Sequence, residues 1–452
     1  LALADYGAAG RARGLLDLVD PTTFLVTPPQ SAASLTAEEA RWLRAAHPAL
    51  AEAVDAASER TGALNEAMAL VRASIEGLRI LVDGYCLMPE EMGTQVAFLA
   101  MLRALANRRE VAYLGVALPG FMPEYAREVL GHPKIDARQS DLATLEGFED
   151  IDVIHRPYQL DTSLDMSRWR SVGRRIAVTV HDLIAYQIPT YFSTPDAWFA
   201  HRHVTRALSR QVDGLVAISE DTRDQILRER LSAEEGRVFV VPNGVGHLSG
   251  DETAIEPAAL RASGFAGEAF VLVLGTNYSH KNRDLAIDVV RSLQGRGHEV
   301  HLVMAGANVP YGSSSEVEAG RMRPDDLVHI IPDVTSEERN WLLRHAAVVL
   351  YPTGAEGFGL VPHEAAAFGT PTVMVPIPAL AERFASLPVL AADWSLEALT
   401  EATSALLSDP ALAGAQVRAI NAVLSGYSWE NSASTLLASF RSLLAQPAVG
   451  TL

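Results

Sequence analysis

The chain has 452 residues, 48% of them hydrophobic and 20% charged, with a formal net charge of −18 at pH 7. That acidic balance excludes nucleic acid as the main partner and a strongly basic membrane face. The single cysteine, Cys86, excludes an internal disulfide framework and fits a reducing compartment.

Residues 1–76 read as a helical N-terminal extension. PTTFLVTPPQSAAS is loop-like, and after it Thr36 and Glu39 have capping-box spacing and open a long alanine-rich run of helical period. No chemistry is legible there, so the extension reads as a packing or docking element. From Arg79 the pattern changes: RILVDG is a short buried-type strand, followed by the loop YCLMPEEMGT and the helical QVAFLAMLRALAN. Further strand-like runs are VAYLGVAL, DVIHRP, IAVTVHDL and GLVAISE, separated by helical stretches. Such alternation predicts a parallel sheet with crossover helices over 77–250.

HLSGDETAIEPAALRASGFAGE is polar, broken by Gly and Pro, and reads as a linker. A second alternation over 251–428 follows: AFVLVLGT, HEVHLVMAG, LVHIIPDV, AAVVLYPT and TPTVMVP. The closing SWENSASTLLASFRSLLAQ, within 429–452, is a capped amphipathic helix expected to pack back on the first domain. The predicted fold class is therefore α/β, with two doubly wound Rossmann-like domains whose strand ends face a cleft. No apolar run reaches a membrane-spanning length and no signal segment opens the chain, so a cytoplasmic location is expected, with at most peripheral membrane contact. Leu1 at the first position suggests a piece of a longer polypeptide.

The most informative stretch is EGFGLVPHE, in which Glu356 and Glu364 stand with seven residues between them around a glycine-rich turn. It follows the strand-like VVLY, and Pro362 sits where a first helical residue needs no amide donor. Gly357 and Gly359 let backbone approach a ligand, and free amides at a helix start favour negative charge. That geometry suits a phosphate. The two carboxylates, being pure acceptors, suit hydroxyl donors of a ribose or a sugar. Together they describe a nucleotide-sugar site, against the plainer alternative of surface glutamates stabilised by a helix dipole.

In this setting EGFGLVPHE resembles the E-x7-E motif of the retaining, GT-B-fold glycosyltransferases of family 4. GTNYSHKNRDLAI, VTVHDL, VVPNGV, LVMAG and YSWENSA also fall in that family's order, and the resemblance covers about residues 78–440. It implies that Glu356 contacts the donor sugar and Glu364 the nucleotide ribose, while amides of Gly357, Phe358, Gly359 and Leu360 lie along the diphosphate. It implies further that Lys281 neutralises the departing diphosphate and that His181 faces the sugar from the first domain. Gly93 and Thr94 would close over the phosphates, with Gly275, Thr276 and His280 also lining the donor site. His280 departs from the arginine many relatives carry, so weaker diphosphate contact or a pH dependence below about 7 is expected.

Other features have plainer readings beside them. Asp150-Ile151-Asp152 resembles a metal-binding DxD, but stands at the amino end of its strand, on the wrong edge of the sheet. Cys86 reads as a bystander. The basic tract SRWRSVGRR and Arg202, Arg206 and Arg210 could meet an anionic acceptor or simply be solvated. AYQIPTYFSTPDAWF could be an acceptor lid or a packed connection. Lys281 could be an ordinary exposed helix-start lysine, and His181 with Asp182 a strand-end capping pair.

The expected activity is transfer of a hexosyl group from a nucleoside-diphosphate sugar to a hydroxyl of a glycan or lipid-linked acceptor, with retention, as in polysaccharide biosynthesis. Neither a cofactor nor a metal is expected, and front-face substitution is the expected route. Two alternatives stay open: a catalytically silent GT-B binding or scaffold subunit, and a sugar-nucleotide epimerase. Membership of a larger polypeptide or an oligomer is compatible with the transferase reading and with both alternatives.

Overall fold

The computed structural model describes residues 65–450 apart from 90–92, 161–163, 233, 247–249 and 251, together with residues 41, 45 and 48. The chain divides into two compact units, residues 1–77 and 78–452. In the first, the described residues form a helix over 65–75, with Met68, Val71 and Ile75 exposed on it. The Thr36–Glu39 capping box lies outside the described residues.

The second unit contains two parallel sheets. The first has seven strands: β1 (Leu78–Asp83), β2 (Val111–Leu118), β3 (Ile135–Gln139), β4 (Ile151–Arg156), β5 (Gly173–Val180), β6 (Gly214–Ala217) and β7 (Val238–Val240), in the order β3-β2-β1-β4-β5-β6-β7. The second has five: β8 (Phe270–Leu274), β9 (His301–Ala305), β10 (Val328–Ile331), β11 (Val348–Tyr351) and β12 (Thr372–Met374), in the order β10-β9-β8-β11-β12. Helices cover both faces, so central strands such as β4 and β8 are buried along their whole length, which is why they read as unbroken apolar runs. The two-domain α/β expectation therefore holds. Strand order reverses between β1 and β4 in one sheet and between β8 and β11 in the other, and these switch points open the crevices where ligands of such sheets bind.

Two strands escape the sequence pattern, and both are edges. β3 is IDARQ and ends exposed, while β7 has only three residues. An edge strand packs on fewer neighbours and needs less apolar sequence. The segment read as a linker is also more structured than its composition suggests. It carries a short helix, Ala258–Ala262, and Ile255 donates its amide to the Glu337 carbonyl at 3.0 Å, docking it on the second domain.

The Trp429–Leu444 helix crosses back to the first sheet. Ser428 caps it, accepting from the Asn431 amide. Leu443 fills the space over Gly214, where a Cβ would collide with it, and the Phe440 ring meets His155 edge-on at 5.4 Å. Arg175 on β5 donates to the Leu443 carbonyl at 3.1 Å and to that of Gln446 at 2.6 Å, closing the helix's exposed end.

Candidate active site

At the second switch point, Leu274 ends β8 and Gly275 takes φ 126. A side chain on neighbouring Gly306, at φ 140, would overlap the Gly275 carbonyl, so two strand-end turns meet backbone on backbone. Beyond Thr276 the chain makes a 3-10 turn, Ser279–Lys281, and Asn282 adopts the left-handed conformation, φ 50, before the Arg283–Gly295 helix. Asn282 donates its side-chain amide to the Pro352 carbonyl at 2.9 Å, and the Gly354 amide donates to the His280 carbonyl at 2.7 Å. The loops after β8 and β11 are thereby tied together.

This brings Lys281 onto Glu356. The two form an ion pair, the Tyr351 hydroxyl donates to the same carboxylate, and Lys281 Nζ lies 5.4 Å from the Tyr351 ring centroid. Burial pushes the Glu356 carboxyl up, but the Lys281 charge and the hydrogen bonds from Lys281 and Tyr351 outweigh it and hold it below the usual range. Glu356 is therefore an ionised acceptor at neutral pH.

The next turn is compact. Gly357 faces the first domain so closely that a Cβ there would overlap the His181 carbonyl. Gly359 has φ 81, which only glycine adopts without strain. The Val361–Ala367 helix follows with Pro362 in its first turn. Phe358 is buried, its carbonyl accepts from Arg383, and the Arg383 guanidinium lies 4.0 Å from its ring centroid. Glu364, on that helix, is ion-paired with Arg339 of the Ser336–His345 helix.

Across the cleft, the first switch point is closed by a buried pair. Asp83 at the end of β1 meets Arg156 at the end of β4 at 3.1 Å, and the guanidinium also lies 3.9 Å from the Tyr158 ring centroid. Burial pushes the Asp83 carboxyl up, against the opposing charge of Arg156. The adjacent Pro157 carbonyl is 2.8 Å from His181 Nε2. Burial holds His181 below its ordinary value despite that bond and neighbouring Asp182, so its imidazole is neutral and its tautomer fixed by a backbone acceptor. Asp182 accepts from the Ile184 amide at 2.8 Å and is pushed up by burial. Gly93 and Thr94 open the Gly93–Ala106 helix after β1, with free space above Gly93.

Residues 258–422 match the family model described as Glycosyl transferases group 1, and residues 90–247 match Glycosyltransferase Family 4. The chain belongs to the family 4 glycosyltransferases of the GT-B fold. The D-inositol 3-phosphate glycosyltransferase of Nocardia farcinica is 29% identical over 366 residues, 72% of this chain and 72% of the relative. The like-named protein of Streptomyces avermitilis is 31% identical over 241 residues, 49% of this chain and 50% of its own. Among solved structures, Anabaena HepE in complex with UDP-glucose superposes with a TM-score of 0.57 at 15% identity, covering 80% of this chain and 100% of that one. Sucrose-phosphate synthase from Thermosynechococcus elongatus gives 0.57 at 18%, covering 81% and 99%. At such identities the structures speak to the fold.

Within this glycosyltransferase the site residues read from sequence divide into those that meet and those that do not. Lys281, Glu356 and the Gly357–Leu360 turn converge, with His181 abutting the turn through its carbonyl. Glu364 is held by Arg339, and His280 is hydrogen-bonded to Tyr191 of the first domain. Burial and then Lys281 push His280 down to about 4, so it is neutral at pH 7 and any titration falls well below the ordinary histidine range.

The basic tract is tied up internally. Arg170 pairs with Asp213 at 3.1 Å, and Arg175 holds the C-terminal helix. Arg202 pairs with Glu229 and lies 4.3 Å from the Tyr186 ring centroid. Asp152 accepts from the Arg79 amide at 2.8 Å, at the amino edge of β4. Among the described residues no group of three or more His, Cys, Asp or Glu is placed so that it could hold a metal ion, and no helix among them is long and apolar enough to cross a membrane. Cys86 is buried and its thiol is pushed up by burial, the opposite of an activated nucleophile.

Sequence reasoning missed Tyr351, Arg383 and the Asp83–Arg156 pair. Asp83 and Arg156 each close a strand-like run, RILVD and DVIHR, and a charge ending a buried strand was the available signal. Tyr351 sits in an apolar run and gave none.

Proposed function

We propose that this glycosyltransferase moves a sugar from a nucleoside-diphosphate sugar to an acceptor hydroxyl with retention of anomeric configuration and without a metal ion. The observation that carries this reading is the Lys281–Glu356 pair beside the glycine turn and helix start that follow β11. Lys281 and the free amides of Gly357–Leu360 supply positive potential for a diphosphate. Glu356, ionised and held by Tyr351, accepts from sugar hydroxyls, and Glu364 accepts from the ribose once Arg339 shares it. Lys281 then exchanges part of its pairing with Glu356 for the diphosphate as the sugar–phosphate bond breaks.

Retention by a double displacement needs a carboxylate nucleophile near the reacting carbon. Of the carboxylates beside the glycine turn, Glu356 is already engaged by Lys281 and Tyr351, while Asp182 accepts from the Ile184 amide and is pushed up by burial, which weakens it as a nucleophile. Front-face substitution therefore fits better: the acceptor oxygen bonds the anomeric carbon on the face the diphosphate leaves, and the acceptor proton passes to a diphosphate oxygen. The relatives named for D-inositol 3-phosphate make a phosphorylated polyol one acceptor to try beside lipid-linked saccharides.

Thermal shifts with UDP, GDP, ADP, CDP and dTDP, each with and without EDTA, test the donor site, since a ligand of the native state raises stability. One nucleotide standing out, unaffected by EDTA, is the expected result. NMR of the product from the matching sugar donor reads the anomeric configuration. An inverted product would overturn retention, and a shift abolished by EDTA would overturn metal independence.

A further inference from the structure

The aromatic loop of the first domain reaches the second through Tyr191. Its 3-10 turn, Pro189–Tyr191, ends with Tyr191 hydrogen-bonded through its hydroxyl to His280 Nδ1. The Tyr191 ring also packs on Tyr278, centroids 4.7 Å apart. Beneath it lies Gly312, φ 69, where any Cβ would collide with the ring. The socket is held by a Tyr278–Ser313 bridge and by the Ser279 amide donating to the Gly312 carbonyl at 2.7 Å. A shaped, backbone-braced recess thus receives one side chain from the opposite domain.

What that side chain grips is the turn that carries Lys281. His280 and Lys281 share the Ser279–Lys281 turn, so fixing the His280 ring fixes the stem from which Lys281 reaches Glu356. His280 is held neutral at pH 7 by burial and by Lys281. Being neutral, it brings no cation to a diphosphate, but it can pair with a phenol. The rest of the loop is a packed connection: Trp198 donates to the Tyr186 carbonyl at 3.1 Å, and Phe192 meets His201 at 5.0 Å.

We infer that Tyr191 is a positioning residue for transfer, which clasps His280 across the cleft and so sets the Lys281–Glu356 pair only when the two domains are closed. The inference rests on the transfer reading above. A contact made only in the closed, reacting arrangement lowers the barrier without strengthening the first encounter with donor, so its loss falls on kcat and spares KM.

The test compares wild type with Tyr191→Phe, Tyr191→Ala, His280→Ala and the Phe/Ala double variant, using UDP-glucose, GDP-mannose and ADP-glucose as donors. Losing one hydrogen bond should lower kcat about fivefold in Tyr191→Phe, and losing the ring as well about thirtyfold in Tyr191→Ala. Donor KM should stay within about twofold, and a larger share of donor should be hydrolysed as water enters. The double variant should be no worse than the worse single one. Unchanged kcat, a loss confined to KM, additive effects, or a melting midpoint falling in step with kcat would overturn the inference.

Amide exchange over Tyr278–Asn282 in saturating UDP or GDP keeps the test independent of turnover. Protection should be weaker in Tyr191→Phe than in wild type, and equal protection overturns the clasp. Wild type failing to transfer from any donor while this difference persists would instead indict the transfer reading.

Discussion

Both domains place one ion pair across the switch point of the sheet, and the two pairs serve opposite ends. Asp83–Arg156 joins the last residues of β1 and β4, with side chains only 1% and 3% exposed. Lys281–Glu356 joins the loops that follow β8 and β11, and its side chains keep 19% and 11% exposure. A few residues' displacement along the chain, from strand end to loop, turns a sealed brace into charges a ligand can reach. The brace fixes the Pro157 carbonyl on which His181 rests, while the loop pair is left able to exchange partners.

Perturbing each pair should therefore break different things. Asp83→Ala strands the Arg156 charge in the core and should lower stability by about 3–5 kcal/mol, read by denaturant unfolding. Lys281→Ala should leave a folded protein whose kcat falls about a hundredfold, the usual scale for losing one preorganised stabilising group. Wild-type turnover in that variant would sink its role. Glu364→Gln should weaken the proposed acceptance from the ribose and raise donor KM about tenfold, near 1.4 kcal/mol, with kcat changed far less. Gly359→Ala forces a side chain into the left-handed region against Leu380 and should lower stability by about 1 kcal/mol.

The smallest effect is on pH. Glu356 is depressed in the folded protein, so its pairing contributes fully above the unfolded glutamate value, about 4.3, and is lost as pH falls through the lower folded value. The gap in melting temperature between wild type and Glu356→Gln should accordingly hold from pH 7 to 5 and close below about 4. A gap that persisted in acid would mean that the lysine does not hold this carboxylate down.

The sequence revealed the alternation of strands and helices, both switch-point loops and the glycine turn, because each rests on local rules: apolar runs for buried strands, glycine where backbones meet. Edge strands β3 and β7 carried too little apolar sequence to register. What stayed hidden was pairing at a distance. Nothing local in SHK announces that Lys281 meets Glu356, 75 positions on, or that His280 meets Tyr191, 89 positions back. Arg339 likewise looked like one more polar residue on a helix face until the fold set it against Glu364. Charged groups can pair with any opposite charge the topology brings near, so their partners are a property of the fold.

The Trp429–Leu444 helix has a consequence for the order in which the protein is made. The first sheet is synthesised early, yet the cover over Gly214 and the carbonyls that satisfy Arg175 arrive only with Leu443 to Gln446. A ribosome releasing the chain from its amino end therefore exposes a first domain with one apolar flank open until the entire second domain has emerged. Domains generally fold as units during synthesis, but here the earlier one gains its last cover only after the later one has been made.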